Sequence, residues 1–197
     1  MKKRFQFLLS VFLIIVISSF GQNENEMQRF SDFIPENYSI LGFTCGNLNN
    51  DSIDDVILIL NNNREDSLFY AGIEEKRIFM MLIGQQDKSY KLSFQSSNIV
   101  GYYGYDMNFK DAFVDVVISE ATFAINHYGG FNIRWGRSTT FEYNASMNKW
   151  FLIKEEFETM ESTNLDAPNK LIQKIIRTPE DFGVIEIEEF DITKHYE

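Results

Sequence analysis

Cysteine is nearly missing from this 197-residue chain, where Cys45 stands alone. An intramolecular disulfide is therefore excluded, and packing has to supply the stability. Cys45 alternates with Leu41 and Phe43, which predicts a buried, inert thiol on one face of a strand. Histidine is almost as scarce, with only His127 and His195, so His-rich zinc spacing is ruled out. The chain also lacks a nucleophile elbow, a P-loop and a dinucleotide fingerprint. Basic residues are in deficit, 18 against 29 acidic, for a net charge of −11. Such a surface repels nucleic acid and anionic lipid and favours cations and basic partners.

The apolar run at the start is too short to span a bilayer. Phe5 to Phe20 covers 16 residues, against the ~20 that a spanning helix needs. Lys2, Lys3 and Arg4 precede it, and the small residues Ser19 and Gly21 follow. This is the layout of a secretory signal peptide over residues 1–21, cleaved before Gln22. No cysteine follows the run to carry a lipid, and no membrane insertion is expected after cleavage. The protein is expected to be periplasmic or secreted. Loss of the three basic residues takes the net charge from −11 to −14. What remains is long enough for one domain with a real core.

Residues 22–36 read as a polar tether and a short helix, with Met27, Phe30, Phe33 and Ile34 on one helical face ahead of Pro35. Residues 37–197 read as an all-β, single antiparallel domain, either an open sheet or sandwich or a partial propeller-like meander. Strands are predicted at Tyr38–Thr44, Val56–Leu60, Ile78–Ile83, Tyr90–Phe94, Phe113–Ser119, Thr122–His127, Phe131–Trp135, Thr139–Tyr143, Lys149–Phe157 and Val184–Phe190. Ile78–Ile83 is apolar at every position, as suits a central strand covered on both faces. Arg64–Glu75 and Glu161–Asn169 read as loops, and Lys170–Arg177 fits a helix or a strand equally. Around Gly129-Gly130, a three-residue loop would pair His127 with Phe131, Ile125 with Ile133 and Phe123 with Trp135. His127 then ends an apolar row as a structural residue with a satisfied ring nitrogen. Arg134 is expected to pair with an acidic neighbour across the sheet.

The most informative stretch runs from Gly46 to Asp55. Asn47, Asn49 and Asp51 place side-chain oxygens at alternate positions, Asp55 follows four residues later, and a strand comes next. Several oxygens from one tight loop suit a hard cation such as Ca²⁺. The alternative is an Asx-rich turn whose carboxylates accept backbone N–H groups without metal. An EF-hand is excluded, since its twelfth position would need a glutamate and holds Leu58.

The loop resembles the calcium loops of FG-GAP and VCBS repeats, the family of integrin-type β-propellers. That resemblance implies side-chain ligands from Asn47, Asn49, Asp51 and Asp55, a backbone carbonyl from Ile53, and Asp54 pointing away. Asn47 stands where the pattern has an aspartate, and Ser52 where it has glycine. A left-handed backbone at Ser52 would cost about 1 kcal/mol, and two carboxylates imply weak binding, on the order of 10⁻⁴ to 10⁻³ M. The likeness covers about residues 40–60 with no second copy, so a closed propeller is excluded. A longer stretch, roughly residues 33–157 with 178–183, resembles an uncharacterised family of exported bacterial proteins. The features that carry it are His127-Tyr128-Gly129-Gly130, Arg134-Trp135 and Trp150. It implies no activity.

Tyr102, Tyr103, Tyr105 and Trp135 form a candidate ligand surface for a sugar or peptide. Asp106, Asp111, Asp115 and Glu120 offer carboxylates that a glycan hydrolase would need as a pair. The expected function is an exported, non-catalytic binding or structural module with a weak calcium loop, meeting a protein or glycan of the envelope. The alternatives are an envelope glycan hydrolase and an acidic inhibitor or immunity-type protein.

Overall fold

The computed structural model describes residues 29–106, 111–161 and 170–194. The chain divides into two units, residues 1–36 and 37–197. In the first, a single 3-10 turn, Ser31–Phe33, stands where the amphipathic helix was expected. Met27 lies outside the described residues.

The second unit holds two antiparallel meanders. One runs β1 (Tyr38–Gly46), β2 (Asp55–Asn62), β3 (Ile78–Gly84) and β4 (Tyr90–Ser96) in spatial order. The other runs β5 (Phe113–Ser119), β6 (Thr122–Gly130), β7 (Ile133–Asn144), β8 (Lys149–Glu161) and β9 (Lys170–Arg177). The sheets pack around one core. Ile57, Ile59, Phe79 and Met81 come from the first, and Val116, Phe123, Ile125, Phe141, Trp150 and Leu152 from the second. Phe79 and Phe123 meet across the gap at 5.5 Å between ring centroids, and Phe123 stacks on Phe141 at 5.1 Å. Each such aromatic contact adds about 0.5–1.5 kcal/mol to the burial itself. The fold is thus all-β, a two-sheet antiparallel arrangement. β2 and β3 are also buried on their other face at Val56, Leu58, Leu60, Met80 and Leu82, which explains why they read as unbroken apolar runs.

Several local expectations are corrected. Cys45 is exposed, because a bulge between Ile40 and Gly42 breaks the alternation. Beyond the bulge, Phe43 and Cys45 sit opposite Leu58 and Val56, away from the core positions Ile57 and Ile59. The stretch Arg64–Glu75 contains a helix, α1 (Glu65–Tyr70), with Glu65 and Asp66 in its first turn. Lys170–Arg177 is a strand.

The β6–β7 register also differs from expectation. Ile125 faces Thr139, His127 faces Arg137 and Phe123 faces Phe141. Ile133–Trp135 and Thr139–Tyr143 are therefore parts of one strand, β7, and Phe131 lies in the turn before it. The observed register differs from the expected one by an even number of residues, so the buried face is the same. It wins by extending the ladder to Thr122–Glu142 and by placing Phe123 on Phe141. Gly130, at φ 87°, takes the left-handed backbone that turns the chain into β7.

Val184–Phe190 is not a strand. Glu186 makes one isolated bridge to Phe151, and Ile185, Ile187, Phe190 and Ile192 are core residues. A short helix, α2 (Pro179–Phe182), leads into this segment, with the Asp181 carboxylate accepting the Thr178 N–H at 2.8 Å.

Candidate functional site

The loop between β1 and β2 is wound on its own side chains. Asn49 Oδ1 accepts the Asp51 N–H at 2.9 Å, and Asp51 Oδ1 accepts the Ile53 N–H at 2.7 Å. Asn49 Nδ2 donates to Asp51 Oδ2 at 2.9 Å, and Asn47 Nδ2 donates to the Asp51 carbonyl at 2.6 Å. These are Asx turns in series. The left-handed residue is Asn50, at φ 62°, rather than Ser52, and asparagine tolerates that conformation.

Asp55 anchors the loop to both neighbouring segments. Its Oδ2 accepts the Leu48 N–H at 2.8 Å and its Oδ1 accepts the Gly84 N–H at 3.0 Å. The carboxylate is fully buried. Burial pushes its pKa above the ordinary 3.8, against the pull of the two N–H donors, and the nearby Asp51 charge adds to the rise. Gly84 has to be glycine, because a Cβ there would collide with the Asp54 carbonyl. A hollow of about 550 Å³ lies between Asp51, Ile53 and the Gly84–Asp87 turn.

One oxygen of this loop stands out. Asn47 Oδ1 is buried and has no hydrogen-bond partner among the described residues. An acceptor left in that state costs about 1–3 kcal/mol. The donor chemistry of Asn47, Asn49, Asp51, Asp55 and the Ile53 carbonyl fits a weakly held hard cation. Among the described residues, no group of three or more His, Cys, Asp or Glu gathers as a metal cluster, so any such site depends on amide and carbonyl oxygens.

The aromatic set divides. Tyr105 lies 5.9 Å from Tyr102 and 6.1 Å from Trp135, measured between ring centroids. Tyr103 instead packs on Phe69 of α1 at 5.7 Å. Phe157, 37 % exposed, joins the group by stacking on Trp135 at 6.3 Å. The Tyr105 hydroxyl donates to the Ile192 carbonyl at 3.1 Å and accepts from Arg137 Nη1 at 3.0 Å. Arg137 in turn pairs with the Glu155 carboxylate at 2.5 Å.

His127 lies behind this group. Its Nε2 accepts the Gly101 N–H at 3.0 Å, which places the proton of the neutral ring on Nδ1. One ring nitrogen is satisfied as expected, whereas Nδ1 is buried without a partner among the described residues. Burial, reinforced by the Arg137 and Arg77 charges, pushes the pKa from 6.5 down to about 3. Among the described residues Arg134 meets no acid; its Nη1 donates to the Tyr128 hydroxyl at 3.2 Å and its guanidinium lies 5.8 Å from that ring centre.

The four carboxylates are held in four separate settings. Asp106 accepts the Gly130 N–H at 2.6 Å, Asp111 pairs with Arg77 at 2.7 Å, Asp115 accepts from Asn126 at 2.7 Å, and Glu120 sits exposed after β5. Sequence reading missed Glu65, Arg77, Arg137 and Glu155. Full-length strands would have revealed the last pair, because Arg137 and Glu155 share a sheet face with Thr139 and Phe157.

No family model, no curated protein and no solved structure matches this chain.

Proposed function

We propose that this chain is an exported, non-catalytic binding or structural module in which a weakly bound Ca²⁺ ties β1 to β2. The observation that carries the reading is Asn47 Oδ1, a buried acceptor without a donor in a loop otherwise closed by its own hydrogen bonds. A cation there meets Asn47, Asn49, Asp51 and Asp55 through side-chain oxygens and Ile53 through its carbonyl. With two carboxylates, affinity falls on the order of 10⁻⁴ to 10⁻³ M, a range that extracellular calcium satisfies. Tyr102, Tyr105 and Trp135 supply the surface for a protein or glycan of the envelope. The separate anchoring of Asp106, Asp111, Asp115 and Glu120 favours binding over glycan hydrolysis, which needs a carboxylate pair facing one bond.

Calcium titration tests the reading. Millimolar Ca²⁺ is expected to raise the melting temperature and give a calorimetric heat, and Asp51→Ala to abolish both. At ten times Kd the stabilisation is about 1.4 kcal/mol. If neither heat nor thermal shift appears, the loop is a self-contained Asx turn and the calcium reading fails.

A further inference from the structure

The five-stranded sheet ends at β9, and among the described residues no strand pairs with its outer side. Unpaired edges recruit other strands, and proteins ordinarily blunt them by shortness, bulges or charge. β9 is eight residues long, and its single bulge, at Ile172, leaves Gln173–Arg177 uninterrupted. Leu171, Ile172 and Ile176 are 52 %, 56 % and 51 % exposed. The strand carries Lys170, Lys174 and Arg177 and no acid, in a chain with an excess of acids.

The register gives these charges a pattern. Each base of β9 lies opposite a glutamate of β8: Lys170 faces Glu161, Lys174 faces Glu158 and Arg177 faces Glu155. Lys174 Nζ donates to Glu158 at 2.8 Å and to Glu156 at 2.6 Å. Of the rungs between these, Phe157 with Ile175 and Met160 with Leu171 are apolar, Thr159 with Gln173 is polar, and Glu156 faces Ile176. A further strand with acids on the charged rungs continues the alternation of sign, and apolar residues between them cover the exposed aliphatics.

We propose that β9 is a docking edge for an extended acidic segment of a partner polypeptide, which adds as a sixth strand with carboxylates opposite Lys174 and Arg177. A second copy of this chain is the poorer occupant, since full antiparallel self-pairing sets Lys170 opposite Arg177. Main-chain hydrogen bonds supply the affinity and the charged rungs supply the register. The proposal does not depend on calcium in the loop.

The test uses the purified protein in EDTA at physiological salt, with labelled eight-residue peptides read by fluorescence anisotropy. One peptide sets two glutamates three residues apart among valines, the spacing of Lys174 and Arg177, a second replaces glutamate by lysine, and a third carries a central proline in the glutamate sequence. Saturable binding is expected for the first and none for the second. The proline peptide is expected to bind about tenfold more weakly, because strand addition needs its missing N–H. The double variant Lys174→Glu, Arg177→Glu is expected to lose about tenfold for the glutamate peptide and to gain for the lysine one. Equal binding of the proline peptide would reduce the effect to surface charge and overturn the proposal. Failure of the glutamate peptide to bind would overturn it too, as would a dimer in sedimentation velocity that the double variant dissolves. The peptide comparison uses the unsubstituted protein, so it remains decisive even where the double variant misfolds.

Discussion

Arg77 and Asp55 are both buried charges at ends of the four-stranded sheet's central strands, and the fold treats them in opposite ways. All five N–H groups of Arg77 find acceptors. Nε and Nη2 donate to Glu65 at 3.0 and 2.9 Å, Nη1 and Nη2 to Asp111 at 2.7 Å each, and Nη1 to the Gly101 carbonyl at 3.0 Å. Burial alone would lower the pKa of Arg77, but Glu65 and Asp111 more than reverse that and hold it above the ordinary guanidinium value. Asp55 receives two backbone N–H groups, and among the described residues no cationic side chain pairs with it. Its pKa also rises, and for an acid that direction means that the charged form is disfavoured. One site carries a surplus of counter-charge. The other lacks any, and that shortage is what an external cation would relieve.

The largest expected effect comes from removing the surplus site's centre. Arg77→Met leaves Glu65, whose side chain is 9 % exposed, charged and unpaired. The cost is expected at about 3–5 kcal/mol in urea unfolding. The double variant Arg77→Met, Glu65→Met is expected to recover part of it, because the stranded charge goes as well. A single variant that loses less than about 1 kcal/mol would place Arg77 among exposed pairs, whose worth is that small, and dissolve the contrast with Asp55.

How much of this contrast was legible in the sequence differs by site. The oxygens proposed to hold a cation lie close together along the chain, so Asn47 to Asp55 can be grouped as a candidate by spacing alone. Glu65, Arg77 and Asp111 come from a helix, a strand flank and an irregular segment, and nothing in their spacing announces a cluster. The same distinction runs through the fold. Val56–Leu60 and Ile78–Ile83 were readable because burial on both faces leaves an unbroken apolar run. The buried face of β6 was readable from Phe123, Ile125 and His127, but its partner positions were not, since a register shift of even length keeps the same face inward. Cys45 was misplaced because a bulge leaves no mark in the residue pattern. Ile185 and Ile187 alternate like a strand because they cap the core, although only Glu186 between them forms a bridge.

His127 offers a smaller perturbation, since it lies under the influence of both Arg77 and Arg137. With a folded pKa of about 3 against 6.5 in the unfolded chain, only the unfolded chain takes up the proton between those values. Stability is therefore complete above pH 6.5 and falls as the pH drops towards 3. His127→Phe is expected to flatten the upper part of that decline, above the range where carboxylates titrate. At neutral pH it is expected to cost about 1–3 kcal/mol, because the buried Gly101 N–H loses its acceptor. Unfolding curves measured across this interval decide the matter, and an identical slope in the variant would remove His127 from the pH response.

The smallest expected effect sharpens the Asp55 side of the comparison. Because its pKa is raised above 3.8, Asp55 takes up a proton in the folded state at a pH where an ordinary aspartate is still charged. Protonation removes one of the two carboxylates offered to calcium, so protons and Ca²⁺ compete for the loop. The increment in melting temperature between Ca²⁺ and EDTA, worth at most about 1–2 kcal/mol at millimolar calcium, is expected to shrink on acidification as Asp55 takes up its proton. Without calcium the linkage has the opposite sign. Asp55 alone then favours folding as the pH falls through its raised pKa, since the folded state binds the extra proton. Asp55→Asn is expected to abolish the calcium increment at every pH. Paired melts in Ca²⁺ and EDTA over a pH series measure both effects, and an increment that survives in Asp55→Asn would assign the cation to oxygens other than those that separate this loop from the Arg77 site.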